Sequence, residues 1–225
     1  NGFSWNSTPI QTTNPAIGLA AGNYTVTVTD QKGCFTTRDT TVLEPDALLI
    51  ASMDMDSASC NGVADGTATA IGITGGNGTN GFSWNSTPIQ TTNPAIGLAA
   101  GNYTVTVTDQ KGCFTTRDTT VLEPLLLTAD TTFQDSVSCN GLFDGSASIL
   151  GSGGNGIYTY LWADGQISST ASNLTAGTYN VTITDQKGCF KDTSVTVLEP
   201  LLLTADTTFQ DSVSCNGLFD GSASI

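Results

Sequence analysis

The sequence contains no histidine, and only six Lys and Arg stand against 20 Asp and Glu. Without histidine, general acid–base catalysis loses its commonest group and a Cys/His zinc site loses its nitrogen ligands. No CxxC pair is present to replace them. The formal net charge of -14 repels polyanions, so neither nucleic acid nor an anionic membrane surface is an expected partner. No apolar run approaches the ~18 residues of a membrane-spanning helix, and no membrane insertion is expected. No stretch reads as a signal peptide. Asn1 falls in mid-pattern, so the natural N-terminus is expected to lie elsewhere.

What remains is a chain rich in Thr, Ser, Gly, Asn and Val, with charged residues at only 12%. That mixture disfavours helices and favours strands joined by short turns. Hydrophobic residues make up 38%, enough for small cores, and a length of 225 residues fits one or two domains. Six cysteines in an acidic, Thr-rich chain point to an oxidising, extracytoplasmic setting.

The strongest signal is internal repetition. The run LAAGNYTVTVTDQKGC at 98–113 recurs unchanged at 19–34, and as LTAGTYNVTITDQKGC at 174–189. Residues 1–45 are identical to 80–124, and residues 121–149 to 197–225. The chain therefore divides into the back of one repeat (1–45), two whole repeats (46–124 and 125–200) and the front of another (201–225). Each partial repeat is expected to need neighbouring chain or neighbouring subunits to cover its apolar face.

Within the run, Tyr103, Val105 and Val107 alternate with Thr104, Thr106 and Thr108, the period of a half-buried strand. In the repeat 125–200 the same reading gives extended segments at 125–139, 146–150, 157–162, 167–174, 178–184 and 190–198. Turn signals separate them at 140–145, 151–156 and 163–165. The predicted fold is all-β: tandem small antiparallel β-sandwiches of immunoglobulin or fibronectin-III type, six to seven strands each. Trp5, Trp84 and Trp162 are the expected core plugs. Tyr24, Tyr103 and Tyr179 each follow a Leu-x-x-Gly-x pattern, which fits a tyrosine corner. Trp84, Tyr103, Trp162 and Tyr179 are thus the structural-core residues of the whole repeats.

One ordered set of motifs runs through each repeat. It begins Cys-Asn-Gly-x-x-Asp-Gly-Ser/Thr-Ala and Gly-Gly-Asn-Gly. An aromatic strand ending in Trp follows, then Leu-x-Ala-Gly-x-Tyr-x-Val-Thr-x-Thr-Asp-x-x-Gly-Cys and Val-Leu-Glu-Pro. This set resembles the SprB-type repeat of very large cell-surface adhesins of gliding Bacteroidota. The resemblance implies tandem β-sandwich modules exported to the cell surface, serving as filament or stalk in adhesion or motility. It carries no catalytic residue to this sequence.

The cysteines at 34, 60, 113, 139, 189 and 215 are read as disulfide candidates. If six strands alternate up and down, the two cysteine-bearing turns of a repeat share a pole, giving Cys60–Cys113 and Cys139–Cys189. If a seventh strand intervenes between Trp162 and Tyr179, the turns lie at opposite poles and Cys60 faces Cys189. The intra-repeat pairing is the expected one, because small domains usually staple themselves; its loop of about 50 residues would contribute ~3–4 kcal/mol.

Other motifs have plainer readings. Gly151, Gly153 and Gly156 match GxGxxG, but a strand follows instead of a helix, so they read as a hairpin turn. Asp65, Asp144, Asp109 and Asp185 are weak calcium candidates; turn chemistry is the expected role, and calcium is the one cofactor considered. Ser57, Ser136 and Ser212 sit in Asp-Ser-apolar triplets resembling the O-glycosylation acceptor of the same phylum. Tyr158 and Tyr160 mark either a sugar-binding face or, as expected, core. The reading is a structural repeat of an extracellular, cell-surface filament without catalysis; the alternative is a multivalent polysaccharide-binding module. Its expected partners are neighbouring repeats, other copies of the filament or surface polysaccharide.

Overall fold

The Thr/Val alternation becomes extended strand in every copy of the repeated run. A computed structural model describes residues 1–206 and 208–225 and contains, among them, strands and turns but no helix. β1 (Gly2–Trp5), β2 (Gly22–Thr29) and β3 (Phe35–Val42) form one antiparallel sheet in that order. The next repeat supplies β4 (Leu49–Asp56), β5 (Gly66–Thr74), β6 (Gly81–Trp84), β7 (Ala95–Leu98), β8 (Gly101–Thr108) and β9 (Phe114–Val121). These make two three-stranded sheets, β4-β5-β7 and β6-β8-β9. The following repeat uses the same plan. β10 (Leu125–Asp135), β11 (Gly145–Gly154) and β13 (Thr170–Leu174) form one sheet. β12 (Thr159–Trp162), β14 (Gly177–Thr184) and β15 (Phe190–Val197) form the other. β16 (Phe209–Asp211) and β17 (Ser222–Ser224) close the chain as a two-stranded ribbon.

The contacts divide the chain into two compact units. The first holds Asn1–Met55, Ala68–Ala95 and Asn102–Thr119; the second holds Asp56–Thr67, Ile96–Gly101 and Thr120–Ile225. In the first, Trp84, Val105, Val107, Ala68 and Ala95 are fully buried. Trp84 Nε1 donates to Thr92 O at 2.9 Å, which satisfies the one polar atom of that ring. The corresponding Trp5, Val26 and Val28 of β1 and β2 are only half-buried.

In the second unit the core is drawn from both sheets. Ala147 and Ile149 of β11 and Ala171 and Leu174 of β13 meet Trp162 of β12, Val181 and Ile183 of β14 and Val195 and Val197 of β15. The inward residues alternate with Thr178, Thr182, Thr184 and Thr196, as a sheet with one wet face requires. Trp162 is 1% exposed, and burial of such a ring removes roughly 150–250 Å² from water.

Two expectations are corrected here. The segment 151–156 is not simply a turn. β11 runs on to Gly154, because Gly151, Ser152 and Gly154 pair with Ala129, Thr128 and Leu125 across a bulge. The loop shrinks to a few residues, and β12 starts at Thr159, after Ile157 at φ 29°. The strands also do not alternate strictly in direction. β12 is antiparallel to β14 and β13 is antiparallel to β11. Traced through the registers, β12 and β13 run the same way: between Trp162 and Thr170 the chain changes sheets without reversing. Six strands therefore place the turns carrying Cys139 and Cys189 at opposite ends of the sandwich, a result the sequence reading attached to seven.

Candidate functional site: the disulfide junction at Cys60 and Cys189

Cys60 sits in the first turn of one repeat, on a loop fixed by its own side chains. Asp65 Oδ1 accepts from Ser59 N at 2.8 Å, and Val63 N donates to Cys60 O at 3.1 Å. Hydrogen bonds from Ser59 hold the Asp65 carboxyl below its ordinary pKa. The loop is tied to the end of its repeat by Asn61 Nδ2 donating to Pro124 O (3.0 Å) and Gly62 N donating to Glu123 Oε2 (2.6 Å). Asn140 and Gly141 repeat both bonds with Pro200 and Glu199 at 3.1 and 3.2 Å. The Glu-Pro ending of each repeat is thus the latch for that repeat's Cys-Asn-Gly loop.

Cys189 opens the last strand of the next repeat, and its position is set by Asp185. Asp185 is 5% exposed. Its Oδ1 accepts from Lys187 N and Cys189 N at 2.8 and 3.0 Å, and its Oδ2 accepts from Asn155 N and Nδ2 at 2.7 and 2.9 Å. Burial alone would raise the Asp185 pKa; the amides of Asn155, Lys187 and Cys189 more than offset it, and the net shift is downward. Asn155 reaches Asp185 because its turn folds tightly. Gly153, at φ 77°, passes so close to β10 that a Cβ there would lie 2.0 Å from Leu126 O.

These two pieces meet. Asn155 Nδ2 also donates to Ser59 O at 2.9 Å, and Cys60 and Cys189 are joined by a disulfide with Cα atoms 5.7 Å apart. The bond links the first cysteine of one repeat to the second cysteine of the next. The expected Cys60–Cys113 and Cys139–Cys189 bonds are absent; Cys34, Cys113, Cys139 and Cys215 are free and exposed. The physical reason is the strand direction described above, which puts a repeat's own two cysteines at opposite poles. Beside the bond, a cleft of about 350 Å³ is lined by Val63, Leu126, Leu127 and Phe190 with the Lys191 stem.

The remaining candidates fall as follows. Asp144 caps the Cys139 loop through Ser138 N at 2.9 Å, as Asp65 does at Cys60. Asp109 repeats the bonds of Asp185 and is lowered to about 2. Its burial opposes the shift, and the amides of Asn77, Cys113 and Lys111 drive it. The four aspartates thus cap four separate turns. Among the described residues no group of three or more His, Cys, Asp or Glu is placed to hold a metal ion. Ser57, Ser136 and Ser212 are exposed. Tyr179 OH donates to Thr175 O at 3.2 Å, and Tyr24 OH to Ala20 O at 3.0 Å, the bond of a tyrosine corner. Tyr103 is half-buried at the equivalent place. Tyr158 and Tyr160 pack against the core, and Tyr158 OH donates to Gly153 O at 2.7 Å. Sequence reasoning missed Asn77 and Asn155. The available signal was a Gly-Gly-Asn-Gly turn present in both whole repeats, whose middle asparagine had no assigned role.

The geometry defines an all-β tandem repeat in which one disulfide, Cys60–Cys189, joins two consecutive repeats. Residues 131–167 match the SprB repeat family model. A comparison with curated proteins found no match. Among solved structures, the N-terminal eight immunoglobulin domains of Down syndrome cell adhesion molecule align at 14% identity and a TM-score of 0.31, over 79% of this chain and 31% of that one. The C-terminal fragment of intimin, solved with the intimin-binding domain of its translocated receptor, aligns at 14% identity and a TM-score of 0.30, over 78% of this chain and 57% of that one. Domains 3–5 of Drosophila OTK align at 13% identity and a TM-score of 0.29, over 80% of this chain and 72% of that one. The chain spans about a third and somewhat over half of the first two.

Proposed function

We propose that this chain is a structural segment of a secreted cell-surface filament or adhesin stalk, serving in attachment or gliding without chemistry of its own. The observation that carries this reading is the Cys60–Cys189 bond, which staples one repeat to the next in a chain whose residues 131–167 match the SprB repeat. A disulfide of this kind persists in an oxidising, extracellular setting. The four aspartates considered for calcium, Asp65, Asp109, Asp144 and Asp185, each accept hydrogen bonds within a turn, which supports a reading in which they serve the turns and not a cation. The inward packing of Tyr158 and Tyr160 favours this reading over polysaccharide binding, which needs an exposed aromatic row.

The test is an antibody fragment raised against residues 125–200 and applied to intact cells of the source organism. Surface labelling together with inhibition of attachment to glass or of gliding is the expected result. Labelling only after permeabilisation would sink the proposal. A glycan array probed with the intact chain separates the alternative: saturable binding to a polysaccharide class would replace the stalk reading.

A further inference from the structure

The first and last strands of repeat 125–200 lie in different sheets, yet the chain at their C-terminal ends is bonded together. Gln134 Nε2 donates to Thr196 O, and Val137 N donates to Leu198 O at 3.0 Å. Asn140 Nδ2 donates to Pro200 O at 3.1 Å, and Gly141 N to Glu199 Oε2 at 3.2 Å. From Gln134 to Asn140 the partners advance from Thr196 to Pro200, so the two segments run parallel. The sheet registers agree. β10 runs with β13, and β15 runs with β12, which share one direction.

The core backs this patch. Val137 and Val197 are buried, and a Cβ on Gly145 of β11 would lie 2.6 Å from Val197 Cγ1. Water is thereby kept from the inner side of the Val137–Leu198 bond, where it would otherwise compete for the amide. Repeat 46–124 makes the equivalent bonds. Ala58 N donates to Leu122 O at 2.8 Å, Asn61 Nδ2 to Pro124 O at 3.0 Å and Gly62 N to Glu123 Oε2 at 2.6 Å. Ala58 and Val121 are buried there, as Val137 and Val197 are in the following repeat.

The parallel direction decides how these bonds meet a stretching force. Stretching a repeat draws the start of its first strand one way and the end of its last strand the other. Parallel segments held at those opposite ends slide along each other, and every bond between them is strained together. In an antiparallel pair the two held ends would lie side by side, and the bonds would open one after another. We propose that residues 134–141 and 196–200 form a shear clamp, by which repeat 125–200 resists stretching wherever no disulfide bypasses its first strand. Sliding misaligns each donor from its acceptor, and hydrogen bonds weaken steeply with misalignment, so the clamp gives way as a unit. The proposal rests on bonds within one repeat and is independent of the adhesin reading.

The test holds the full chain, with Cys60→Ser to remove the bypass, by handles at its two ends in optical tweezers. The lifetime of each repeat-sized step is read at constant force, since forced unfolding is governed by the unfolding rate. Gln134→Ala and Asn140→Ala should each shorten the lifetime of one step about fivefold, the loss of one hydrogen bond. Thr182→Val serves as the control. It removes the bond from Thr182 Oγ1 to Asp192 Oδ1, 2.6 Å long, between antiparallel β14 and β15. Urea unfolding of all three variants gives their cost at rest, which Thr182→Val should share while its lifetime under force stays unchanged. Failure of either clamp variant to shorten the lifetime, or equal shortening by Thr182→Val, would overturn the proposal. So would a Cys60→Ser chain that extends without any resisting step.

Discussion

Removing the Cys60–Cys189 bond tests the central structural finding quantitatively. The two cysteines are 129 residues apart in sequence. For a loop of that length the chain-entropy relation gives about 5 kcal/mol of stabilisation. The Asn155–Ser59 hydrogen bond adds about 1 kcal/mol where it depends on the loop's being held in place. Such a total is comparable to the whole stability of a small domain. Urea unfolding followed by tryptophan fluorescence and calorimetry, with Cys60→Ser, Cys189→Ser and the double variant, reads it directly. Each single variant should lose most of this amount, and the double variant should lose no more than either alone, because both changes delete one bond. Cys113→Ser and Cys139→Ser should leave the monomer's stability unchanged. The reasoning fails if Cys113→Ser or Cys139→Ser costs as much as Cys60→Ser, because the bond would then run within repeats.

Other expectations follow from single sites. Gly153→Ala should destabilise its repeat by ~1–3 kcal/mol or more, because a left-handed residue would also meet Leu126 O; thermal unfolding of that variant checks this. Asp109 and Asp185 have folded pKa values below the ordinary carboxylate value of about 3.9. Their stabilising contribution is therefore complete above that value and is lost as pH falls through the folded one, about 2 for Asp109. Acid titrations of Asp109→Asn and Asp185→Asn should show lower stability at neutral pH and a shallower loss across that window. Chelation with EDTA should leave the melting temperature unchanged; a clear drop would mean that the turn aspartates hold a cation. If Ser57, Ser136 and Ser212 are glycan acceptors, the intact mass of protein from the native host will exceed the sequence mass by whole glycans, and Ser→Ala at each will remove one.

The strands were legible because Thr and Val alternate at 104–107 without interruption, and the core was legible because each repeat has one Trp. The tyrosine corner was legible because Gly and Tyr stand at fixed spacing around a chain reversal. The disulfide partner was not legible. Its choice turns on whether the chain reverses between Trp162 and Thr170, and no residue there signals that it changes sheets in the same direction. Asn155 was hidden for a different reason. Its partners Asp185 and Ser59 are remote in sequence, one just past the central strand of its own repeat and the other in the preceding repeat. Local pattern fixes which residues turn and which extend. It carries no information about which turn another turn will meet.

The position of the Cys60–Cys189 bond also sets how far the chain can be drawn out. A pull applied at its two ends passes from residue 60 to residue 189 through the sulfurs, and the chain between them carries none of the load. Even with every strand peeled from its sheet, roughly 420–460 Å of contour stays withheld from extension until the bond is reduced. Weak hydrogen bonds and packed side chains inside that loop are thereby relieved of tensile duty, which falls on one covalent link and on the segments outside it.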